Sequence, residues 1–166
     1  GDAKGEAWLK GLVDNMARSP KGGDTDQIKA VASGECGVAL TNTYYVARLI
    51  KSNKPDERAV MEKVKVVFPN QGTSGTHVNI AGAAVAKHAK NRDNAVVFME
   101  FLASPFAQDY FANGNHEFAA TKGVKIDNAA LKAIGGDNFR AEQIPLGVVA
   151  KNMVKVQQML DRTGYK

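Results

Sequence analysis

Residues 37–41 read Gly-Val-Ala-Leu-Thr, a short and almost continuous apolar run between two amphipathic stretches. A run so brief and so apolar predicts a strand in a sheet covered on both faces. Ahead of it, Ile28, Val31 and Ala32 recur at helical spacing, with Asp24 and Thr25 as N-cap residues and Gly34 as the stop. Behind it, a helix is expected over residues 43–52. Helix, strand, helix in close succession is the α/β pattern.

The remaining segments fill out that pattern. Trp8, Leu9, Leu12, Val13 and Met16 predict an amphipathic helix over 3–17, broken by Pro20 and the Gly22-Gly23 pair. Pro55 opens another helix, to about Lys63. Residues 65–69 read as a strand stopped by Pro69, and residues 77–89 as extended pieces around Gly82. Residues 94–103 predict a helix with Val97, Phe98, Phe101 and Leu102 inward. Ser104-Pro105 starts the next, with Phe106, Ala107, Tyr110 and Phe111 buried and Gly114 as its end. Residues 115–126 read as extended or irregular. Leu146, Val149, Met153, Val156 and Leu160 form a stripe that needs a groove, with Pro145 at its start. Three or four short strands serve many apolar helical faces. That is a thin sheet flanked by helices, in an incomplete domain or one half of a two-lobed protein.

Charge and residue usage narrow the function. The net charge is +5, from 22 Lys+Arg against 17 Asp+Glu, but the lysines are scattered among acids. A nucleic-acid module wants clustered basic residues with exposed aromatics between them. Here the aromatics fall on predicted inner faces, so no nucleic-acid partner is expected. No apolar run approaches the roughly 20 residues of a membrane-spanning helix. The chain opens on Gly1 without a leader-like segment, which predicts a cut N-terminus. Cys36 is the single cysteine, so it forms no disulfide within the chain and reads as a small buried side chain. His77, His88 and His116 are scattered, and Ser74 with His77 makes no nucleophile elbow or triad order. The chain is therefore read as non-catalytic.

One feature carries chemistry. Two of the four tyrosines, Tyr44 and Tyr45, stand together where the strand becomes a helix. Packing is one reading, because tyrosine buries its ring and keeps its hydroxyl at a wet edge. The other is binding. Ligands of open α/β sheets sit at the carboxyl ends of strands, and a helix start favours anions. Neighbours on a helix lie about 100° apart, so two adjacent phenols there can converge in front of it, whereas on a strand they point to opposite faces. Phenolate is a hard oxygen donor suited to a trivalent cation such as Fe³⁺. Asn42 and Thr43 are placed to cap the helix or to hold an accompanying anion.

The stretch GECGVALTNTYYVARL resembles the signature of bacterial ferric-iron-binding proteins, the periplasmic substrate-binding components of iron(III) ABC transporters. The likeness continues through GGDTDQIKAVASGE, the long segment from Thr76 to Ala120, and the tail from Phe139 to Tyr165. The resemblance implies a class II periplasmic-binding-protein fold, related in design to one lobe of transferrin, of which this chain is the C-terminal half. It implies that Tyr44 and Tyr45 are Fe³⁺ ligands and that Asn42 helps hold a synergistic anion such as carbonate, phosphate or citrate. Further ligands would come from the other half, so the isolated fragment is expected to bind iron weakly or not at all.

The family's pattern places residues 1–75 in the second lobe and residues 76–125 in a hinge strand and part of the first lobe. Residues 126–166 then return to pack a C-terminal helix on the second lobe. His77 becomes a hinge residue rather than a ligand, and His116 lies at a lobe edge. The expected partners are the missing N-terminal half, or a second copy, and a membrane permease. The alternative is a binding protein of the same fold for another small anion or metal chelate.

Overall fold

The computed structural model describes residues 1–136 and 138–165. Its helical elements are α1 (Asp2–Asp14), α2 (Asp24–Ser33), α3 (Thr43–Lys51), α4 (Pro55–Met61), α5 (Arg92–Leu102) and α6 (Pro105–Tyr110). A π-helical turn follows at Phe111–Asn115, then α7 (Ala129–Ala133) and α8 (Leu146–Thr163). The chain forms two compact units. One joins Gly1–Ala39 with the segment from Gln143 to the C-terminal end; the other is Leu40–Glu142. No helix among the described residues is long and apolar enough to cross a membrane.

In the first unit α8 packs on α1. Arg162 donates two hydrogen bonds of 2.8 Å to the Glu6 carboxylate, and Lys155 donates to Asp2 at 3.0 Å. Such exposed pairs add little stability but fix the register of the two helices. The α8 stripe is corrected in one respect. Met159 is buried and Leu160 half-buried, whereas Leu146, Val149, Met153 and Val156 are exposed. α2 starts one residue earlier than expected. Gly23 is the cap, and its N–H donates to the Asp26 carboxylate at 2.9 Å, which leaves Asp24 inside the first turn. Gly34 ends the helix at φ 82°, as the sequence predicts.

The second unit is built around α3, which packs against α4 and α7. Val46, Ala47 and Leu49 of α3 are buried, as are Ala130 and Leu131 of α7. A Ser52 hydroxyl bonded to Glu57 at 2.6 Å and an Arg58 guanidinium on the Ser52 carbonyl at 2.9 Å lock the α3–α4 corner. α7 is absent from the sequence reading. It is short, but the Asn128 side chain caps it by accepting from the N–H groups of Ala130 and Leu131 at 3.0 and 3.2 Å. Ser104 caps α6 by accepting from Ala107 N–H, with Pro105 at the first position, as expected. Gly114 does not stop that helix. The chain widens into the π turn and leaves it at His116, whose φ is +60°.

Two expectations change here. The segments read as strands, 37–41 and 65–69, and the extended pieces of 77–89 are non-helical but form no ladder among the described residues. Val38 is 85% exposed, and Leu40 and Val67 are also open to solvent. Among the described residues a parallel bridge joins Thr76 with Ala141, closed by Thr76 N–H on the Arg140 carbonyl and Glu142 N–H on the Thr76 carbonyl, both 2.8 Å. A strand needs paired edges for its backbone and packed faces for its side chains, and among the described residues these segments have neither in full. Likewise Val97, Phe98, Phe101, Phe106 and Tyr110 are exposed, not inward. Helical periodicity tells which face is apolar, not what covers it. Ala107 and Gln108 are the buried residues of α6, and Gln108 spans from the Leu102 carbonyl to the Ala120 N–H.

Candidate metal centre

Tyr44 and Tyr45 occupy the first turn of α3, as the sequence predicts. Asn42 is the N-cap residue. Its backbone is extended at ψ 141°, its carbonyl accepts from Tyr45 N–H at 3.3 Å, and its side chain makes no capping bond. The two rings are half-buried and lie together, centroids 4.4 Å apart and planes tilted by 40°. The first turn contains no acidic residue. The positive end of the helix dipole is therefore not offset by a carboxylate within the first turn itself.

A third residue belongs to this cluster and was not singled out in the sequence. The Arg48 guanidinium lies over both rings, 5.3 Å from the Tyr44 centroid and 5.4 Å from that of Tyr45. The signal was present, because Arg48 is four residues after Tyr44 and three after Tyr45, the spacings that meet on a helix surface. A cation at this distance holds aromatic faces in place and adds positive potential where an anion would sit.

The other candidates fall elsewhere. His77 Nδ1 pairs with Glu142 at 3.0 Å, beside the Thr76–Ala141 bridge. His88 is exposed. His116 is buried with its Nδ1 against the Asn128 amide at 2.9 Å. Cys36 is a free, half-buried thiol. Among the described residues no three His, Cys, Asp or Glu side chains gather as a metal-binding group. The two phenol rings are brought together on the first turn of α3.

Residues 2–133 match the family described as bacterial extracellular solute-binding protein. The chain belongs to this family. Iron uptake protein A2 of Synechocystis sp. is 52% identical over 148 residues, covering 87% of this chain and 43% of that protein. The structure of the Trichodesmium FutA protein with iron and citrate superposes with a TM-score of 0.93 at 44% identity, over all of this chain and 52% of that one. The ferric binding protein of Campylobacter jejuni gives 0.89 at 38% identity, over 97% of this chain and 50% of its own. The solute-binding fold is therefore shared, and the class II periplasmic-binding-protein architecture expected from the sequence holds. The chain spans about half the length of the relatives it matches.

Proposed function

We propose that this solute-binding chain supplies one wall of an Fe³⁺ site in the periplasmic component of an iron ABC transporter. The observation that carries the reading is the tyrosine pair, two phenols side by side at an acid-free helix start, in a chain so close to iron uptake protein A2. Tyr44 and Tyr45 would bind the ion as phenolates. Asn42 at the start of α3 would help hold a synergistic anion, with citrate the first to try because the Trichodesmium relative carries it. The cargo would be captured between lobes and passed to a membrane permease; no bond of the ligand is made or broken.

Two phenolates do not fill an octahedral iron shell. The further ligands would come from the part of the full-length protein corresponding to the rest of the relatives' length. Of the lobe division proposed from the family pattern, 1–75, 76–125 and 126–166, the return of the C-terminal helix to the N-terminal segment draws support from α8 packing on α1. The Thr76–Ala141 bridge suits two chain crossings running side by side. The exposed faces of α5, α6 and α8 would be covered by that companion part or by a second copy.

Ferric citrate titration tests the reading through the phenolate-to-iron charge-transfer band. The chain alone is expected to give a weak band or none, and a strong one once the companion part is supplied. A strong stoichiometric band from the chain alone contradicts the shared shell. No band after complementation contradicts the iron site itself.

A further inference from the structure

A buried polar network lies behind the tyrosine-bearing helix, in the same compact unit. Asn128 is 1% exposed and His116 8% exposed. The Asn128 carbonyl oxygen accepts from two fixed backbone donors, Ala130 N–H and Leu131 N–H. That assigns the other end of the side chain as the amide nitrogen. It donates to the Ala112 carbonyl in the π turn at 2.7 Å and faces His116 Nδ1 at 2.9 Å. Nδ1 must therefore be an acceptor, which puts the ring proton on Nε2 and leaves the imidazole neutral.

Every polar atom of Asn128 is then used, and the arrangement works for one protonation state only. A proton on Nδ1 would set two donors head to head. Turning the amide over does not relieve this, because its nitrogen would then face the Ala130 and Leu131 N–H groups and its oxygen the Ala112 carbonyl. α7 is held at its N-terminus by this amide and packs against α3.

The charges around the ring point the same way. Burial first, then the positive charges of Lys51 and Arg48 on α3, hold His116 below the ordinary histidine range. From α7 the one charged residue, Lys132, pairs with Asp127. Next along the chain is Glu117, half-buried, and among the described residues His116 is in no ion pair.

We propose that His116 and Asn128 form a proton-sensitive latch, closed at neutral pH, that seats α7 against the tyrosine-bearing helix α3 and releases it on acidification. The inference needs only the packing of α7 on α3 and stands whether or not iron is the cargo. The sign follows from the direction of the shift. The unfolded chain takes up the proton first, so the latch's contribution is complete above the ordinary histidine pKa of about 6.5 and is lost as pH falls from there toward the depressed folded value.

The test is an NMR titration of the 166-residue chain, with thermal unfolding and tyrosine near-ultraviolet dichroism followed over the same pH range. The Nε2–H tautomer is expected at pH 7.5, with a His116 midpoint below about 6.5 and a dichroism change that tracks it. In Asn128→Asp the carboxylate still caps α7 and welcomes a proton on Nδ1, so the midpoint should rise above the wild-type value. His116→Gln keeps an acceptor without a charge, so the loss of stability on the acid side should shrink. An Nδ1–H tautomer, or a midpoint at or above the ordinary value, overturns the latch. So does a constant tyrosine signal while His116 titrates. These wild-type readings decide the matter even where a variant fails to fold.

Discussion

The ring of Tyr45 lies against that of Tyr44 at 4.4 Å, tilted by 40°, on the first turn of α3. Adjacent positions on a helix point about 100° apart, so this closeness requires the two side chains to lean toward each other. If both oxygens hold Fe³⁺, replacing either by hydrogen removes a ligand and leaves the ring packing in place. Tyr44→Phe and Tyr45→Phe, each in the full-length protein, are expected to weaken ferric binding by at least about tenfold, or about 1.4 kcal/mol. Far-ultraviolet dichroism should not change. Both variants retaining the visible band and the affinity would remove the tyrosines from the site.

Arg48 stacks on both rings from one turn further along α3. It is exposed, so the contact is of the weaker kind, about 0.5–1 kcal/mol. Arg48→Gln should lower Tm by a few degrees, since about 1 kcal/mol moves a chain of this size by roughly 2–4 °C. The tyrosine near-ultraviolet signal should change with it. Arg48→Lys should recover only part, because an ammonium does not stack as a planar guanidinium does. An unchanged signal in Arg48→Gln would mean the rings hold their own orientation.

What was legible in the sequence was local. Gly34, Pro55, Ser104-Pro105 and Pro145 mark helix ends because capping and ring constraints act within a turn. The tyrosine pair was legible for the same reason, since its chemistry depends on adjacency. The inward face assigned to Phe98 and Phe101 was not, because a stripe names an apolar face without naming its cover. α7 escaped because five residues hold too little periodicity, although Asn128 two residues ahead of Ala130 was a readable cap. The meeting of Asn128 with His116 depends on how the π turn brings the chain back, and no spacing rule reaches that far.

Gly75 sits beside the parallel bridge at φ +95°, a conformation that favours glycine. A Cβ there would stand 2.7 Å from the Arg140 carbonyl oxygen and 2.9 Å from the Ala141 carbonyl carbon, both backbone atoms that cannot swing aside. Gly75→Ala is expected to cost about 1–3 kcal/mol. Hydrogen exchange should speed up at the Thr76 and Glu142 N–H groups, which close the bridge. Gly82→Ala is the control. Nothing lies within 4 Å of its Cβ position, and the change should stay within about 0.5 kcal/mol. Equal Tm values for the two variants would show that the chain opens at residue 75 without cost.

Asn128→Ala removes a buried group with four hydrogen-bonding tasks at once. Two are the cap of α7, whose loss costs about 1 kcal/mol in typical helices. The Ala112 carbonyl is also left buried without its donor, which adds about 1–3 kcal/mol. A total near 2–4 kcal/mol is expected from denaturant midpoints at constant m-value. Asn128→Ser keeps a hydroxyl that can cap but is too short to reach Ala112 and His116 as well, so it should fall between the two. Because α7 packs on α3, the alanine variant should also loosen the tyrosine pair, seen as a weaker near-ultraviolet signal below the unfolding transition. Loss of stability with that signal intact would confine the role of Asn128 to α7.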